Sequence, residues 1–189
     1  MFMKRLGDLF LDLLEIFVTS FAIFLFVYLL ILQPHKIRGN SMEPNYHDSE
    51  YLLTDKLTYR FKEPQRGDVV VFKPPVAPDE EYIKRIIGLP GEKILIKNGG
   101  YYINGQKLSE NYIPESVYTK GNIFLPNDKE VVVPENSYFV SGDNREASSD
   151  SRYWGFVTKD KITGKAWFIY WPPKSVGIVK SGTFTLQGM

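Results

Sequence analysis

The longest uncharged stretch of this chain limits what it can fold into more than any other feature. Residues 16–32, which read IFVTSFAIFLFVYLLIL, contain no charged side chain. In a helix they cover about 26 Å, slightly less than a hydrocarbon core of about 30 Å. Upstream, acidic residues recur at helical spacing at Asp8, Asp12 and Glu15. We therefore predict an amphipathic entry and a membrane-spanning helix over residues 9–33, preceded by a short end over residues 1–8 and stopped by Pro34.

Two other interpretations of this stretch are weaker. A cleavable secretory signal has a shorter apolar region followed by a small-x-small cleavage site, which this sequence lacks. A buried helix of a soluble protein is rarely apolar on every side over such a length. The orientation of the span stays open, because Lys4 and Arg5 precede it and Lys36 and Arg38 follow it, so the positive-inside rule gives nearly a tie.

The composition excludes several kinds of site. The chain has no cysteine, which excludes disulfide bonds, zinc–thiolate sites and a cysteine nucleophile. It has only two histidines, so few candidates exist for a histidine-based catalytic or metal site, and we predict neither a metal nor a cofactor. The formal net charge of +1 gives no electrostatic sign of nucleic-acid binding.

After Pro34 the pattern changes to short strands separated by glycine and proline turns, with almost no helical periodicity. This is typical of a mainly β domain. We predict a β core over residues 34–97 and 138–180, an inserted smaller β lobe over residues 98–137, and a loosely ordered tail over residues 181–189. The predicted strands cover residues 50–54, 68–72, 82–87, 92–96, 101–103, 106–108, 130–133, 138–140 and 165–170.

Two residues in this β region are candidates for catalysis. Ser41 comes nine residues after Leu32, the end of the apolar run, but a serine hydroxyl is a poor nucleophile until a base takes its proton. In the strand 82–87, Lys84 alternates with Tyr82 and Ile86 on one face. Burial of that face lowers the pKa of a lysine and makes it a general base near neutral pH. On the strand pattern alone, a Lys84 that extends into solvent remains the simpler interpretation.

Four ordered sequence motifs carry a resemblance to a known family. They are Ser41-Met42-Glu43-Pro44, residues 66–72 (RGDVVVF), residues 82–91 (YIKRIIGLPG) and residues 141–155 (SGDNREASSDSRYWG). Together with the preceding apolar run, they resemble the bacterial type I signal peptidases, which are membrane-anchored serine proteases that use a serine–lysine dyad. The resemblance extends from about residue 16 to about residue 173, and four motifs in order are far more specific than one.

The resemblance implies a role for each matching residue. Ser41 is the expected nucleophile and Lys84 the expected general base. Ser148 is expected to orient the lysine amine by a hydrogen bond. The expected scaffold consists of Asp143, Arg145, Asp150 and Arg152, and the residues expected to contact the substrate are Ile37, Met42, Tyr82 and Ile83. One position departs from some relatives, in which a serine two residues before the nucleophile donates to the oxyanion. Gly39 stands there, so the Ser41 backbone N–H is expected to carry more of this task.

The same resemblance implies the partners and the location. We expect the substrates to be preproteins that bear signal peptides, with the lipid bilayer and the secretion translocon as further partners and no nucleic acid. The N-terminus is expected in the cytoplasm and the catalytic domain on the extracytoplasmic side of the cell membrane. Two alternatives stay open, namely a self-cleaving serine–lysine protease and a membrane-anchored β module that binds partners without catalysis.

Overall fold

A long N-terminal helix leads into a β domain in the computed structural model, which describes residues 2–187. Residue 1 of the predicted N-terminal end and residues 188–189 of the predicted tail lie outside the described residues. Helix α1 spans Phe2–Leu30. Its segment Gly7–Leu30 is strongly apolar and is not covered by the rest of the described residues. Those 24 residues would cover about 36 Å, so the predicted N-terminal apolar helix is confirmed and is a candidate membrane span.

The end of this helix differs from the prediction. The helix stops at Leu30, and strand β1 (Leu32–Lys36) follows at once. Pro34 therefore lies inside a strand and does not terminate the helix. Pro34 is tolerated because β1 is an edge strand that pairs with β2 (Tyr51–Asp55) on one side. On its other side, a missing N–H interrupts no hydrogen bonds between strands. The sequence pattern missed this strand because a proline and polar side chains conceal its alternation.

The larger of two antiparallel sheets is curled and contains eight strands. Its order is β1-β2-β11-β3-β4-β9-β10, with β12 paired to β11. The remaining strands are β3 (Val69–Phe72), β4 (Tyr82–Gly88), β9 (Ser137–Ser141), β10 (Val157–Thr158), β11 (Ile162–Trp171) and β12 (Gly177–Ile178). Two one-turn helices, α2 (Thr58–Phe61) and α3 (Ser151–Trp154), lie in its connections.

A second, five-stranded sheet has the order β13-β7-β6-β5-β8. Its strands are β5 (Lys93–Lys97), β6 (Gly100–Ile103), β7 (Gln106–Glu110), β8 (Glu130–Val132) and β13 (Phe184–Gln187). The sheet thus begins at Lys93, before the predicted lobe boundary at residue 98. The tail was also predicted incorrectly, because β13 pairs with β7 along Phe184–Gln187. A tail of serine, glycine and threonine is ordered here by a partner strand that its composition does not reveal.

Separate apolar clusters pack the two sheets. One joins Ile37 and Met42 to Leu52 inside the curl of the large sheet, and another packs Ile94 and Ile103 in the small one. The mainly β class predicted from the sequence is confirmed. What matters for the site is the curl, because it brings the edge strand β1 opposite β4, although three strands separate them in the sheet order.

Candidate active site

Two strand edges without partners face each other across a cavity. β1 pairs with β2 alone, and β4 pairs with β9 only from Arg85 onward, so Tyr82 to Lys84 have a free edge within the described part of the chain. The cavity between these edges has a volume of about 730 Å³, and both Ser41 and Lys84 line it. Free backbone donors and acceptors on two facing edges suit one extended peptide strand.

Ser41 and Lys84 meet at this cavity. Lys84 Nζ lies 2.8 Å from Ser41 Oγ and 2.8 Å from the carbonyl oxygen of Ile83. The lysine is only 4% exposed, so it does not extend into solvent as the simpler interpretation held. Its ammonium also lies 5.4 Å from the centre of the Tyr82 ring, which agrees with the predicted sharing of one strand face.

Burial is the main influence on the pKa of Lys84. It lowers the pKa of Lys84 to about 8, against the opposing attraction of the Asp150 and Asp143 carboxylates. A lysine with this pKa is neutral in about one molecule in ten at pH 7, roughly 300 times more often than an unperturbed lysine. The pair can therefore supply both a hydroxyl and an uncharged amine to accept its proton.

The backbone of the turn that contains Ser41 is held by the loop that follows β9. Asn144 donates its backbone N–H to the Ser41 carbonyl over 3.1 Å and its side-chain amide to the Asn40 carbonyl over 3.1 Å. Gly142 lies under the same turn. A Cβ at that position would come within 2.4 Å of the Ser41 carbonyl oxygen and 2.3 Å of Ser148 Oγ, so only glycine fits.

The departure at Gly39 has a conformational reason. Its φ of +81° lies in the left-handed region, which a serine adopts only with strain. The Gly39 N–H donates to Asp48 Oδ1 over 2.7 Å and is thus engaged. The Ser41 N–H, by contrast, donates to no acceptor among residues 2–187, so it is free to receive a developing oxyanion.

Ser148 lies near the Ser41 turn, since Gly142 approaches both residues, but it does not form the predicted contact with Lys84. Its Oγ is buried and has no hydrogen-bond partner in the described part of the chain, whereas Lys84 donates to Ser41 and to the Ile83 carbonyl. A buried hydroxyl without a partner is uncommon. Its predicted role in orienting the lysine stays a prediction.

A buried ion pair supports the loop from below. Arg152 donates two hydrogen bonds of 2.8 Å to the Asp150 carboxylate, and Asp150 also accepts from the Gly142 N–H over 3.0 Å and from the Ser141 hydroxyl over 3.2 Å. Burial raises the pKa of Asp150, but the hydrogen bonds and charge of Arg152 outweigh it, so the pKa lies below its usual value. The carboxylate is therefore ionised and connects the loop to the end of β9.

The other two scaffold residues have partners that the sequence analysis missed. Asp143 accepts from Arg85 Nε over 2.9 Å and from Arg85 Nη2 over 2.7 Å, which joins the loop to the lysine's own strand. Arg145 forms an ion pair with Glu110 of β7 and donates to Thr119 Oγ1 over 2.6 Å, which joins it to the small sheet. The adjacency of Arg85 to Lys84 was the available signal for the first pair, whereas nothing in the sequence pointed to Glu110.

Comparison with known proteins decides the family. Residues 10–171 match the family model described as signal peptidase, peptidase S26. The chain belongs to this signal peptidase family. It is 37% identical over 175 residues to a probable signal peptidase I-2 of Synechocystis sp., covering 89% of this chain and 77% of that protein. It is also 35% identical over 165 residues to signal peptidase IB of Staphylococcus aureus, covering 82% of this chain and 85% of that protein.

A solved signal peptidase I from Enterococcus faecalis is also similar. It is 36% identical, with a TM-score of 0.46, over 55% of this chain and 97% of that one. The predicted family and enzyme class, a signal peptidase I that hydrolyses peptide bonds, are confirmed by the family model and the curated relatives. An apolar N-terminal helix in a member of this family indicates a membrane anchor.

Within this signal peptidase, most of the predicted substrate contacts line the cavity. Ile37, Tyr82 and Ile83 do so, from both facing edges. Met42 does not, because it is completely buried in the core beside Ile37 and Leu52. The proximity of Met42 to the nucleophile in the sequence was misleading, since the turn after Ser41 directs it inward.

Proposed function

We propose that this signal peptidase removes N-terminal signal peptides from exported preproteins, with Ser41 as the nucleophile and Lys84 as the general base. The observation that carries the proposal is the 2.8 Å separation of Lys84 Nζ and Ser41 Oγ at a lysine that is 4% exposed. A surface lysine in the same contact would be almost always charged at neutral pH. A buried one is uncharged often enough to take the proton of the serine.

Substrate binding uses the two free strand edges. The residues before the scissile bond enter the cavity as an extended strand and hydrogen-bond to β1 on one side and to residues 82–84 on the other. Small side chains of the substrate pack against Ile37 and Ile83, which line the cavity. Backbone pairing accepts many sequences, so the size of these apolar contacts carries the selectivity.

Cleavage then proceeds in two acyl-transfer steps. The neutral Lys84 amine accepts the Ser41 proton as Oγ bonds to the substrate carbonyl carbon. The resulting ammonium gives that proton to the leaving amine as the peptide bond breaks, which leaves an ester on Ser41. A water molecule next loses a proton to Lys84 and attacks the ester. The signal peptide leaves with a free carboxyl group, and the proton returns to Ser41.

The remaining site residues position these groups. The free Ser41 N–H donates to the oxyanion in both steps. Ser148 accepts a hydrogen bond from Lys84 Nζ once the ester has formed and Ser41 Oγ is no longer a good acceptor. The pairs Asp150–Arg152 and Asp143–Arg85 hold the loop against β9 and β4, and Arg145 ties it to the small sheet. Removing one member of such a buried pair costs about 3–5 kcal/mol, so these residues act through stability and position.

The proposal extends to the location of the enzyme in the membrane. Helix α1 crosses the cell membrane with its N-terminus in the cytoplasm, and the β domain acts on the extracytoplasmic side. Ser41 comes shortly after the end of the helix at Leu30, so the site works close to the bilayer surface, where a signal peptide presents its cleavage site. A contact with the secretion translocon stays a prediction.

The test is cleavage of a preprotein by the full-length chain in detergent. We expect Ser41→Ala and Lys84→Ala to lower kcat/KM by about four orders of magnitude, whereas Lys93→Ala, at an exposed lysine of the small sheet, retains the wild-type rate. Equal activity of all three variants would disprove the dyad. The orientation is tested by fusing a reporter to the C-terminus of the protein and measuring whether protease added to intact cells digests the reporter.

A further inference from the structure

A chain of four polar side chains connects three strands of the large sheet and the segment before β4 at the rim of the cavity. His35 Nε2 lies 2.7 Å from Glu81 Oε2, and His35 Nδ1 lies 2.8 Å from Thr54 Oγ1. Thr163 donates its hydroxyl to the other Glu81 oxygen over 2.7 Å. These residues come from β1, β2, β11 and the segment just before β4, so the chain links both walls of the cavity through its interior.

The order of hydroxyl, imidazole and carboxylate resembles a catalytic triad, but it does not form a second reaction site. Thr54 is fully buried, so no substrate reaches its hydroxyl. Burial raises the pKa of Glu81, but the Thr163 hydroxyl and the His35 ring outweigh it, so the pKa lies below its usual value. An ionised carboxylate only accepts, so His35 Nε2 carries the proton of the hydrogen bond to Glu81.

The position of His35 in the cavity is defined by strand register. His35 is paired with Leu52, so the two side chains share one face, and both line the cavity with Ile37. His35 precedes Ile37 by two residues, so it lies roughly 6.6 Å from Ile37 along the strand, on the side away from Ser41. The side chains of His35 and Glu81 are 13% and 25% exposed, so a ligand in the cavity still reaches them.

The edge strand β1 has little else to hold it at this distance from β4. It is five residues long, contains Pro34 and pairs on one side only. Charged groups of both walls surround the contact. Lys36 and Arg38 belong to the β1 wall, and Asp79 and Glu80 belong to the opposite one. Among the hydrogen bonds and ion pairs of residues 2–187, His35–Glu81 is the side-chain contact that joins β1 to the segment before β4.

We propose that His35 and Glu81 are positioning residues that set the separation of the two cavity walls at the end remote from Ser41, so that one extended peptide strand fits between them. The proposal rests on the proposed function, because it assigns this end of the cavity to the part of the signal peptide that lies several residues before the scissile bond. The pair acts on the strand edges and takes no part in the chemistry, so it governs the binding of long substrates.

The test compares two substrates on the full-length enzyme in detergent. The long peptide carries about eight residues before the scissile bond, roughly 26 Å when extended, and the short one begins three residues before it. The variants are Glu81→Gln, His35→Ala and His35→Gln, in which the Gln amide keeps an N–H donor near the position of Nε2. Glu130→Gln is the matched control, since Glu130 forms an exposed 3.2 Å ion pair with Lys93 in the small sheet. Ser41→Ala reports separately on the dyad.

We expect Glu81→Gln and His35→Ala to raise KM for the long peptide by about tenfold, the effect of one lost charge-assisted hydrogen bond. Their kcat should stay within about twofold of wild type, and kcat/KM for the short peptide should fall by no more than about twofold. His35→Gln should recover most of the loss. An equal loss on both peptides would show that the pair only supports the fold, and wild-type kinetics on the long peptide would also overturn the proposal.

The controls separate this proposal from the dyad. Full activity of Ser41→Ala would contradict the dyad whatever the KM values are, whereas an inactive Ser41→Ala with wild-type kinetics for Glu81→Gln would contradict only the wall-spacing role. If Glu81→Gln does not fold, as judged by its Tm, the comparison of His35→Ala with His35→Gln on the two peptides carries the same decision.

Discussion

Replacing Lys84 by methionine should make the protein more stable and change how its stability depends on pH. Lys84 is 4% exposed, and burial lowers its pKa from 10.5 to about 8. Below pH 8 the folded protein therefore carries a buried ammonium that the unfolded chain keeps in water. Methionine has a similar length and no charge, so it removes that cost together with the proton-accepting amine.

The magnitude follows from proton linkage. Between pH 8 and 10.5 the unfolded chain holds a proton on this lysine that the folded protein has lost, so the free energy of unfolding rises with pH. Lowering the pKa of Lys84 from 10.5 to about 8 costs the folded protein about 3 kcal/mol of stability below pH 8. Most of this stability is regained as the pH rises from 7 to 10. The free energy of unfolding of wild type should therefore rise by roughly 2–3 kcal/mol relative to that of Lys84→Met over this range. Other titratable groups contribute the same pH dependence to both proteins, so their contributions cancel in this difference.

Denaturant unfolding of the full-length chain in detergent measures this difference. The three tryptophans, Trp154, Trp167 and Trp171, all lie in the β domain, so their fluorescence reports its unfolding. Lys93→Met serves as the control because Lys93 is exposed, and its stability should follow wild type at every pH. Parallel stability curves for wild type and Lys84→Met from pH 7 to 10 would refute the inference that burial lowers the pKa of this lysine.

Three further predictions concern catalysis. The kcat/KM of wild type should fall about tenfold per pH unit below a midpoint near pH 8, because the proposed base is the neutral form of Lys84, whose pKa is about 8. A midpoint near pH 10 would contradict this. Gly142→Ala should lower kcat by about 100-fold, because a Cβ there displaces the carbonyl of Ser41, the proposed nucleophile. Gly177→Ala should retain activity, since a Cβ at that position meets no atom within 4 Å. Asp48→Asn should lower kcat by about fivefold with an unchanged KM, since it weakens the acceptor that holds the Gly39 N–H; an increase in KM alone would indicate a role in substrate binding.

Much of the fold was predictable because strand and helix patterns are local. The apolar run predicted α1, and alternation with turn residues predicted nine strands, among them β3, β4 and β11. Strand β13 was missed because its order depends on pairing with β7. Strand β1 was missed because its order depends on pairing with β2 and its proline suggested a helix end instead. In both cases the partner strand, and not the composition of the segment, decides whether the segment is ordered.

The residues of the candidate site divide in the same way. Ser41 and Lys84 were found from motifs in the sequence, and the structure places their reactive atoms 2.8 Å apart. Arg85 and Glu110 were missed as the partners of Asp143 and Arg145, because ion pairs between distant segments leave no pattern in a single sequence. Met42 was misplaced for a related reason, since adjacency to Ser41 in the chain does not tell which way a turn directs the side chain.

By itself, the sequence predicted the apolar N-terminal helix, the mainly β class and the serine and lysine of the proposed dyad, because these depend on local hydrophobicity, alternation and motif. Only the tertiary structure decided that Lys84 is buried, that the Ser41 N–H is free while the Gly39 N–H is engaged, and that β1 and β4 face each other across a cavity. Burial and the facing of the two strand edges arise from the curl of the sheet, which joins residues far apart in the chain. The lowered pKa on which the proposed role of Lys84 depends is therefore a property of the folded sheet and not of the motif.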